Sequence, residues 1–466
     1  MTIEFVGAIT LVVGIIGLFV QPSFIVYAFF ASTLLGAAAA FILTSLGGAT
    51  VQPAHLLLGF LAAKLLADRE VREGALRAVT VGSPGFWLLV TVVYSTIAAY
   101  AMPRLFQGQT LTFSVRAQAQ NYLSPLAPTT SNLTQSLYLI GDCVCFVVVA
   151  GFGSTEAGRR CLGRAALMCV ILSLLFAGLD LVTYATGTTE LLSFIRNSTY
   201  SILSDTESAG FKRIVGSFVE ASSFGYWTLG YFAFVTSLWL NGVAVRLTFS
   251  LSVLSFFALL FSTSTTAYVG LLGYLLVEFA IIVFSFLFWR VRREMFLFMI
   301  AAPFVLAVVI IAICLNDATY AYFSNLMDTF VFKKLSTDSG VERSSWNSQA
   351  IRNFLDTYGF GAGNGSVRAS SFPIAAIASL GFVGAASYAM FLLSIWFRGR
   401  QIEPSVASAT QVAARSACLA WLIAATASAG FIDLGLPFFA FAALGCLGPP
   451  RKQPLLSSTR AVVSYQ

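Results

Sequence analysis

Apolar runs long enough to cross a bilayer, broken by short polar joints, cover most of the chain. The pattern predicts helices near 3–20, 23–46, 52–67, 84–102, 134–153, 165–185, 223–240, 247–262, 266–289, 296–315, 373–397, 410–429 and 431–447. About 20 apolar residues cross the hydrocarbon core as a helix, which pairs every backbone polar group inside the segment. Pro22, Pro53, Pro84, Pro103 and Pro373 fall at run ends, where a missing N–H matters least. The expected fold is an all-α polytopic integral membrane protein with about 12–13 transmembrane helices. It forms one domain over 1–466, with two long loops at about 187–222 and 316–372.

Composition agrees. Charged residues are 10% of the chain and apolar ones 58%, whereas a soluble domain is roughly a quarter charged. The net charge of +7 does not point to nucleic acid, because the basic residues sit at helix ends and in loops and form no stripe. The seven cysteines make no CxxC pair and no Cys/His cluster, so neither a metal site nor a disulfide framework is expected. The first run lacks a basic leader and a cleavage site and is read as retained.

Short basic joints set the expected orientation. Arg69, Arg72 and Arg77 form one, and Arg159, Arg160 and Arg164 the next. Arg290, Arg292 and Arg293, then Arg398 and Arg400, then Arg451 and Lys452 follow. Alternating spans put all of these on one side, which the positive-inside rule makes cytoplasmic. Both long loops then face the periplasm or cell exterior. The parity of the first three runs puts the N-terminus outside too, unless one of them is re-entrant or merged. The external basic residues are Arg104, Arg116, Arg196, Lys212, Arg213, Lys333, Lys334, Arg343, Arg352 and Arg368. Solvation and lipid headgroups account for most of them; Arg213, Arg343 and Arg368 are candidates for binding an anion.

In the first loop Leu191, Leu192, Ile195, Ile202 and Leu203 recur near helical spacing and predict a helix lying on the bilayer. Gly216 allows a bend, and Glu220 falls at the mouth of the next span. A carboxylate there is either functional or a helix N-terminal charge favoured by the dipole. In the second loop a helix is expected over about 341–357. Trp346, Ala350 and Phe354 form its apolar stripe, with Arg343 on the stripe and Arg352 opposite, beside Ser345 and Ser348. An arginine on a packed face wants an anionic partner: a substrate phosphate, Asp338 or Glu220, or else a structural ion pair. Alternate glycines then run through Gly359, Gly361, Gly363 and Gly365. Such a run either brings amides to an oxyanion or is a flexible turn. It is neither a P-loop nor a dinucleotide fingerprint.

Gly216-Ser217-Phe218-Val219-Glu220-Ala221-Ser222 resembles the "G-x-F-x-E-x-S" entry of the O-antigen polymerase and ligase superfamily. Asp338, Arg343 and Gly361-x-Gly363 resemble its large outer loop, and Ser262-Thr263-Ser264-Thr265-Thr266 its "S-x-S-R-T"-like segment. Span count and loop placement are similar as well. The resemblance implies a GT-C-like glycosyltransferase of the bacterial inner membrane, working without a metal or cofactor. It would transfer a glycan from an undecaprenyl-pyrophosphate carrier to an acceptor sugar hydroxyl, with a chain-length regulator and a flippase as partners. Glu220 and Arg343 would be catalytic. Arg213, Arg368, Asp338, Gly361 and Gly363 would bind substrate.

The chain departs from the pattern at Thr265, where an arginine is common. Its one histidine is His55, and the large loop has none of the ligase branch's histidine, which favours a polymerase over a ligase. A transporter would need charges at membrane depth, for which Asp142, Asp180 and Glu278 are the candidates. Asp205-Thr206-Glu207 has the D-x-E spacing of some metal sites and is read as an exposed turn.

Overall fold

The computed structural model describes residues 2–43, 49–113, 122–198, 207–208, 211–288, 292–315, 338–397 and 405–448. The helices are α1 (Phe5–Phe19), α2 (Pro22–Ser32), α3 (Pro53–Leu66), α4 (Arg69–Ala78) and α5 (Pro84–Leu105). There follow α6 (Thr130–Phe152), α7 (Glu156–Ala185), α8 (Ala221–Leu240), α9 (Val245–Phe261), α10 (Thr265–Phe288) and α11 (Arg293–Cys314). Then come α12 (Asp338–Asp356), α13 (Phe372–Phe397), α14 (Val406–Ser428) and α15 (Leu436–Gly445). Six of these, α5, α6, α7, α10, α13 and α14, are long and apolar enough to cross a membrane. The protein is thus a helical, multi-pass membrane protein.

Helices appear in the predicted runs, but among the described residues six, against the 12–13 expected, are long and apolar enough to cross a membrane, and two runs are shorter than predicted. The run at 23–46 is not one helix: α2 stops at Ser32. Ser32 and Thr33 turn their hydroxyls back onto Phe29 O and Phe30 O, a local bonding that competes with helix continuation. The unwound residues find partners elsewhere. Ala37 N–H donates to Ser217 O, and Ala39 N–H to Asn197 Oδ1. Phe41–Leu43 (β2) then pairs antiparallel with Thr2–Ile3 (β1) and Ala49–Val51 (β3). The run at 431–447 is also shorter, because residues 429–435 are non-helical and α15 starts only at Leu436. In the first loop, Thr189–Ile195 is a short 3-10 helix. Leu192 and Ile195 are buried against Val6 and Ala38, while Ile202 and Leu203 lie outside the described residues.

At the centre, α8 is buried almost all round. Gly230 lets Trp421 of α14 lie directly on the α8 backbone, and Gly270 of α10 does the same for Leu229. Such small-residue contacts are how helices approach closely in lipid. Trp421 Nε1 donates to Trp227 O at 3.3 Å.

The two ends of the bundle differ. Asn132, near the start of α6, bonds Asn364 O and the Ser366 hydroxyl. From there α6 runs to Phe152, a short joint turns the chain, and α7 runs back to Ala185. The described parts of 187–220 and the segment 357–371 therefore share one end, called here the loop end. At the opposite end α4 packs on the α6–α7 joint, with Gly74 against Ser154 and Gly151. Arg159 donates there to Gly153 O and Gly448 O. The basic joints of α4 and α7 are thus gathered away from the loops.

Candidate functional site

The first loop is fixed by a buried carboxylate. Asp180, near the end of α7, pairs with Arg196 at 2.7 Å, and Lys212 stands 3.7 Å from the same oxygen. Its other oxygen accepts the amides of Val215 and Gly216 at 2.7 and 3.0 Å. Arg196 also donates to Gly216 O. Gly216 has φ +60, a left-handed bend that suits glycine. Asp180, a transporter candidate by sequence, is here an anchor that aims the next residues.

Those next residues are Arg213 and Glu220. Arg213 donates through Nε to Thr263 Oγ1 at 3.1 Å and through Nη2 to Thr263 O at 3.3 Å. Thr263 sits at φ +45, an uncommon conformation for a β-branched residue. Half-buried Arg213 is pushed below the usual arginine range by desolvation, opposed by Glu220 and Tyr268 nearby. A guanidinium in that state gains from a further anion. Glu220 is the N-cap residue of α8, and its carboxylate accepts the Ser222 hydroxyl. The structure therefore brings together Arg213, Glu220 and the Ser262–Ser264 turn. That turn was noted only as a motif, and its partnership with Arg213 has no signature in the local sequence.

An apolar groove lies beside this segment and is lined in part by Ile214, the residue after Arg213. It has a volume of about 400 Å³ and lies between α7 and α9. Ile171, Leu175 and Leu181 line one wall, Leu251, Leu254 and Phe261 the other, and Ile214 caps it. Every lining residue is apolar. The α7 wall from Ile171 to Leu181 is about 15 Å long.

The second loop is built differently. Helix α12 forms where the sequence predicted one, with Ala350 buried, Arg343 half-buried and Arg352 exposed. Neutral groups dock it. Asn353 donates to Thr110 Oγ1 and Leu111 O at 2.9 and 2.6 Å, and Thr110 donates to Asp356 at 2.6 Å. Asn347 Oδ1 accepts Ser370 N–H at 2.7 Å. Arg368 lies 3.8 Å over the Trp346 ring. Burial pushes it below the usual arginine range, and Glu342 opposes this. Arg343 enters no ion pair among the described residues. Asp338 opens α12, and its side chain lies outside the described residues. Arg213 is thus held at Thr263 and Arg368 at Trp346.

The glycine run does not make an amide cradle. Helix α13 breaks at Gly381, with φ +65 and ψ −170, which frees carbonyls of the preceding turn. Ala362 N–H donates to Ala378 O and Gly363 N–H to Ser379 O, at 2.8 and 3.1 Å. Gly361 N–H donates to Thr357 Oγ1 at 3.1 Å. A Cβ on Gly361 would strike the Gly381 backbone, and one on Gly363 would strike Ala98 O and Pro103. Gly361 and Gly363 are therefore glycines for close packing, with their amides engaged inside the protein.

Of the other candidates, Glu278 is buried on α10 beside Tyr274. Asp205 and Thr206 lie outside the described residues. His55 packs against Tyr138 with ring centroids 5.0 Å apart. Sequence reasoning missed Asp433, in the break between α14 and α15. A lone carboxylate between Gly430 and Gly435-Leu436-Pro437 was the available signal.

Comparison with protein-family models, with curated proteins and with solved structures finds no match for this chain.

Proposed function

We propose that the protein is a membrane glycosyltransferase that polymerises lipid-linked repeat units. It would move a glycan from a polyprenyl-pyrophosphate carrier to an acceptor sugar hydroxyl on the extracytoplasmic face of a bacterial inner membrane. The observation that carries this proposal is the aliphatic groove between α7 and α9, lined by Ile214, together with Arg213 as that residue's neighbour in the chain. A lipid phosphate needs both parts: an apolar channel for the chain and guanidinium donors for the phosphate.

The chemistry assigns roles. Departure of a lipid pyrophosphate builds negative charge, and fixed cations aimed at it are the main source of rate. Arg213 would hold one phosphate, while Arg343 and Arg368 would serve from the second loop. Glu220, facing Arg213 at the mouth of α8, orients the acceptor or takes its proton. Asp338 would keep the substrate-binding part that the sequence resemblance implies. Gly361 and Gly363 shape the loop and do not bind substrate. The protein would work in the lipid bilayer alongside a flippase and a chain-length regulator, with no nucleic acid involved.

The glycan profile of a deletion strain tests this. A polymerase leaves single repeat units on the carrier. Full-length polymer left on its lipid would instead mean a ligase, and an unchanged profile would exclude both. Epitope tags that place residues 316–372 in the cytosol would end the proposal.

A further inference from the structure

Three polar side chains from three elements meet where the fold leaves a helix unfinished. Asp142 is 1% exposed and lies on α6, about 18 Å along the helix from Thr130. Asp433 lies in the non-helical segment 429–435 between α14 and α15. The Asp142 carboxyl lies within hydrogen-bonding reach of the Asp433 carboxyl. Asp433 Oδ1 also accepts the Gly435 amide at 2.6 Å. The break is fixed by Tyr388, whose hydroxyl donates to Ile432 O at 2.9 Å. His55 of α3 is in electrostatic contact with Asp433.

Two atoms of this group, Asp142 Oδ2 and His55 Nδ1, are buried without a hydrogen-bond partner among the described residues. Buried polar atoms in native proteins nearly always have one. An unwound, buried stretch inside a membrane helix is likewise tolerated where it lines a cavity or is enclosed by protein. Among the described residues no three His, Cys, Asp or Glu side chains are arranged to hold a metal ion. The natural occupant is a proton, since two carboxyls hydrogen-bond only when one of them is protonated.

The location fits an acid–base role. Asp433 and His55 are half-buried while Asp142 is buried, so the group is open on one side. Asp433 is in electrostatic contact with Tyr226, about 9 Å along α8 from Glu220. On its other side Gly430 approaches Ala369 O, next to Arg368. The break thus lies between the two arginine-bearing loops. The remaining titratable groups facing the pair are Cys143 and Cys145 on α6 and Tyr388 on α13.

We infer that Asp433, sharing a proton with Asp142 and connected outward through His55, is the proton acceptor for the attacking sugar hydroxyl. This rests on the glycosyl-transfer function proposed above. As the acceptor oxygen bonds to the donor's anomeric carbon, the carbon–oxygen bond to the pyrophosphate breaks and its electron pair leaves with the lipid pyrophosphate. The hydroxyl proton passes to Asp433 and then, by way of His55, to water. Glu220 keeps the task of orienting the acceptor.

The test uses the purified full-length protein in nanodiscs with a polyprenyl-pyrophosphate-linked oligosaccharide. Asp433→Asn keeps an oxygen for the Gly435 amide, so thermal stability should be near wild type. Its transfer rate at saturating donor should fall about 100-fold or more, with donor affinity unchanged, and Asp433→Glu should recover part of the rate. Transfer by Asp433→Asn at the wild-type rate overturns the inference and leaves the glycosyl-transfer function standing. A wild-type protein that transfers nothing overturns that function instead. Infrared spectra between pH 5 and 8 then judge the pair alone. A carboxyl band that shifts in wild type and is lost in both Asp142→Asn and Asp433→Asn supports a proton-exchanging site. A band unaltered by either substitution overturns it.

Discussion

The two loops at the same end of the bundle both carry arginines but hold themselves in place by opposite means. The first is anchored by charge: Asp180 gathers Arg196, Lys212 and two amides, and the Arg196 and Asp180 side chains are 6% and 1% exposed. The second is anchored by neutral groups, with Asn132, Asn347 and Asn353 bonding hydroxyls, carbonyls and an amide. Where a carboxylate is committed to arginine, the pair is part of the fold. Where neutral groups do the anchoring, the loop is held without drawing its arginines into ion pairs among the described residues. Arg343 and Arg368 are in that second condition, and Arg213, bonded to Thr263 and near Glu220, is between the two.

The largest effect on this contrast should come from Asp180→Ala. It strands two buried cations and removes the acceptor of two amides, a loss of about 3–5 kcal/mol for breaking a buried pair. Thermal unfolding in detergent should show it, and limited proteolysis should cut the 207–220 segment first. An unchanged midpoint would mean that the ion pair does not anchor the loop. Gly361→Ala comes next. Its φ of +81 and the adjoining Gly381 backbone leave no room for a Cβ, and left-handed strain alone costs about 1–3 kcal/mol. If this variant is as stable as wild type, the close crossing of loop and helix is not needed.

Asn132→Ala should cost about 1–3 kcal/mol, because it leaves Asn364 O and the Ser366 hydroxyl without their donor. Measured in the same detergent, a larger loss than that of Asp180→Ala would reverse the ranking of charged over neutral anchors. Arg343→Ala should be the mildest structurally, within about 0.5 kcal/mol of wild type, yet polymer growth should stop with single repeat units left on the carrier. Long chains made at normal rates by that variant would remove Arg343 from the mechanism. Glu220→Gln should be similarly mild in stability and should lose transfer while retaining donor binding.

Helices were legible in the sequence wherever a long apolar run met a polar joint, as in α5, α6, α7 and α13. Helix α12 was legible from the stripe of Trp346, Ala350 and Phe354. The early end of α2 was not, because the groups that replace its helical bonds, Asn197 and Ser217, come from far along the chain. The glycine run stayed ambiguous for a related reason. Alternate glycines fit a cradle and a flexible turn equally, and only the break at Gly381 shows which carbonyls their amides meet.

The sequence by itself determined a greasy, multi-pass helical chain with its basic joints separated from two polar loops, because burying backbone in lipid leaves so few choices. The tertiary structure decided which charges are partners. Asp180 met Arg196, Arg213 met Thr263, and Asp433 met Asp142 only through long-range packing of helices. Side-chain pairing across such distances depends on how helices cross, and no local pattern of residues encodes that.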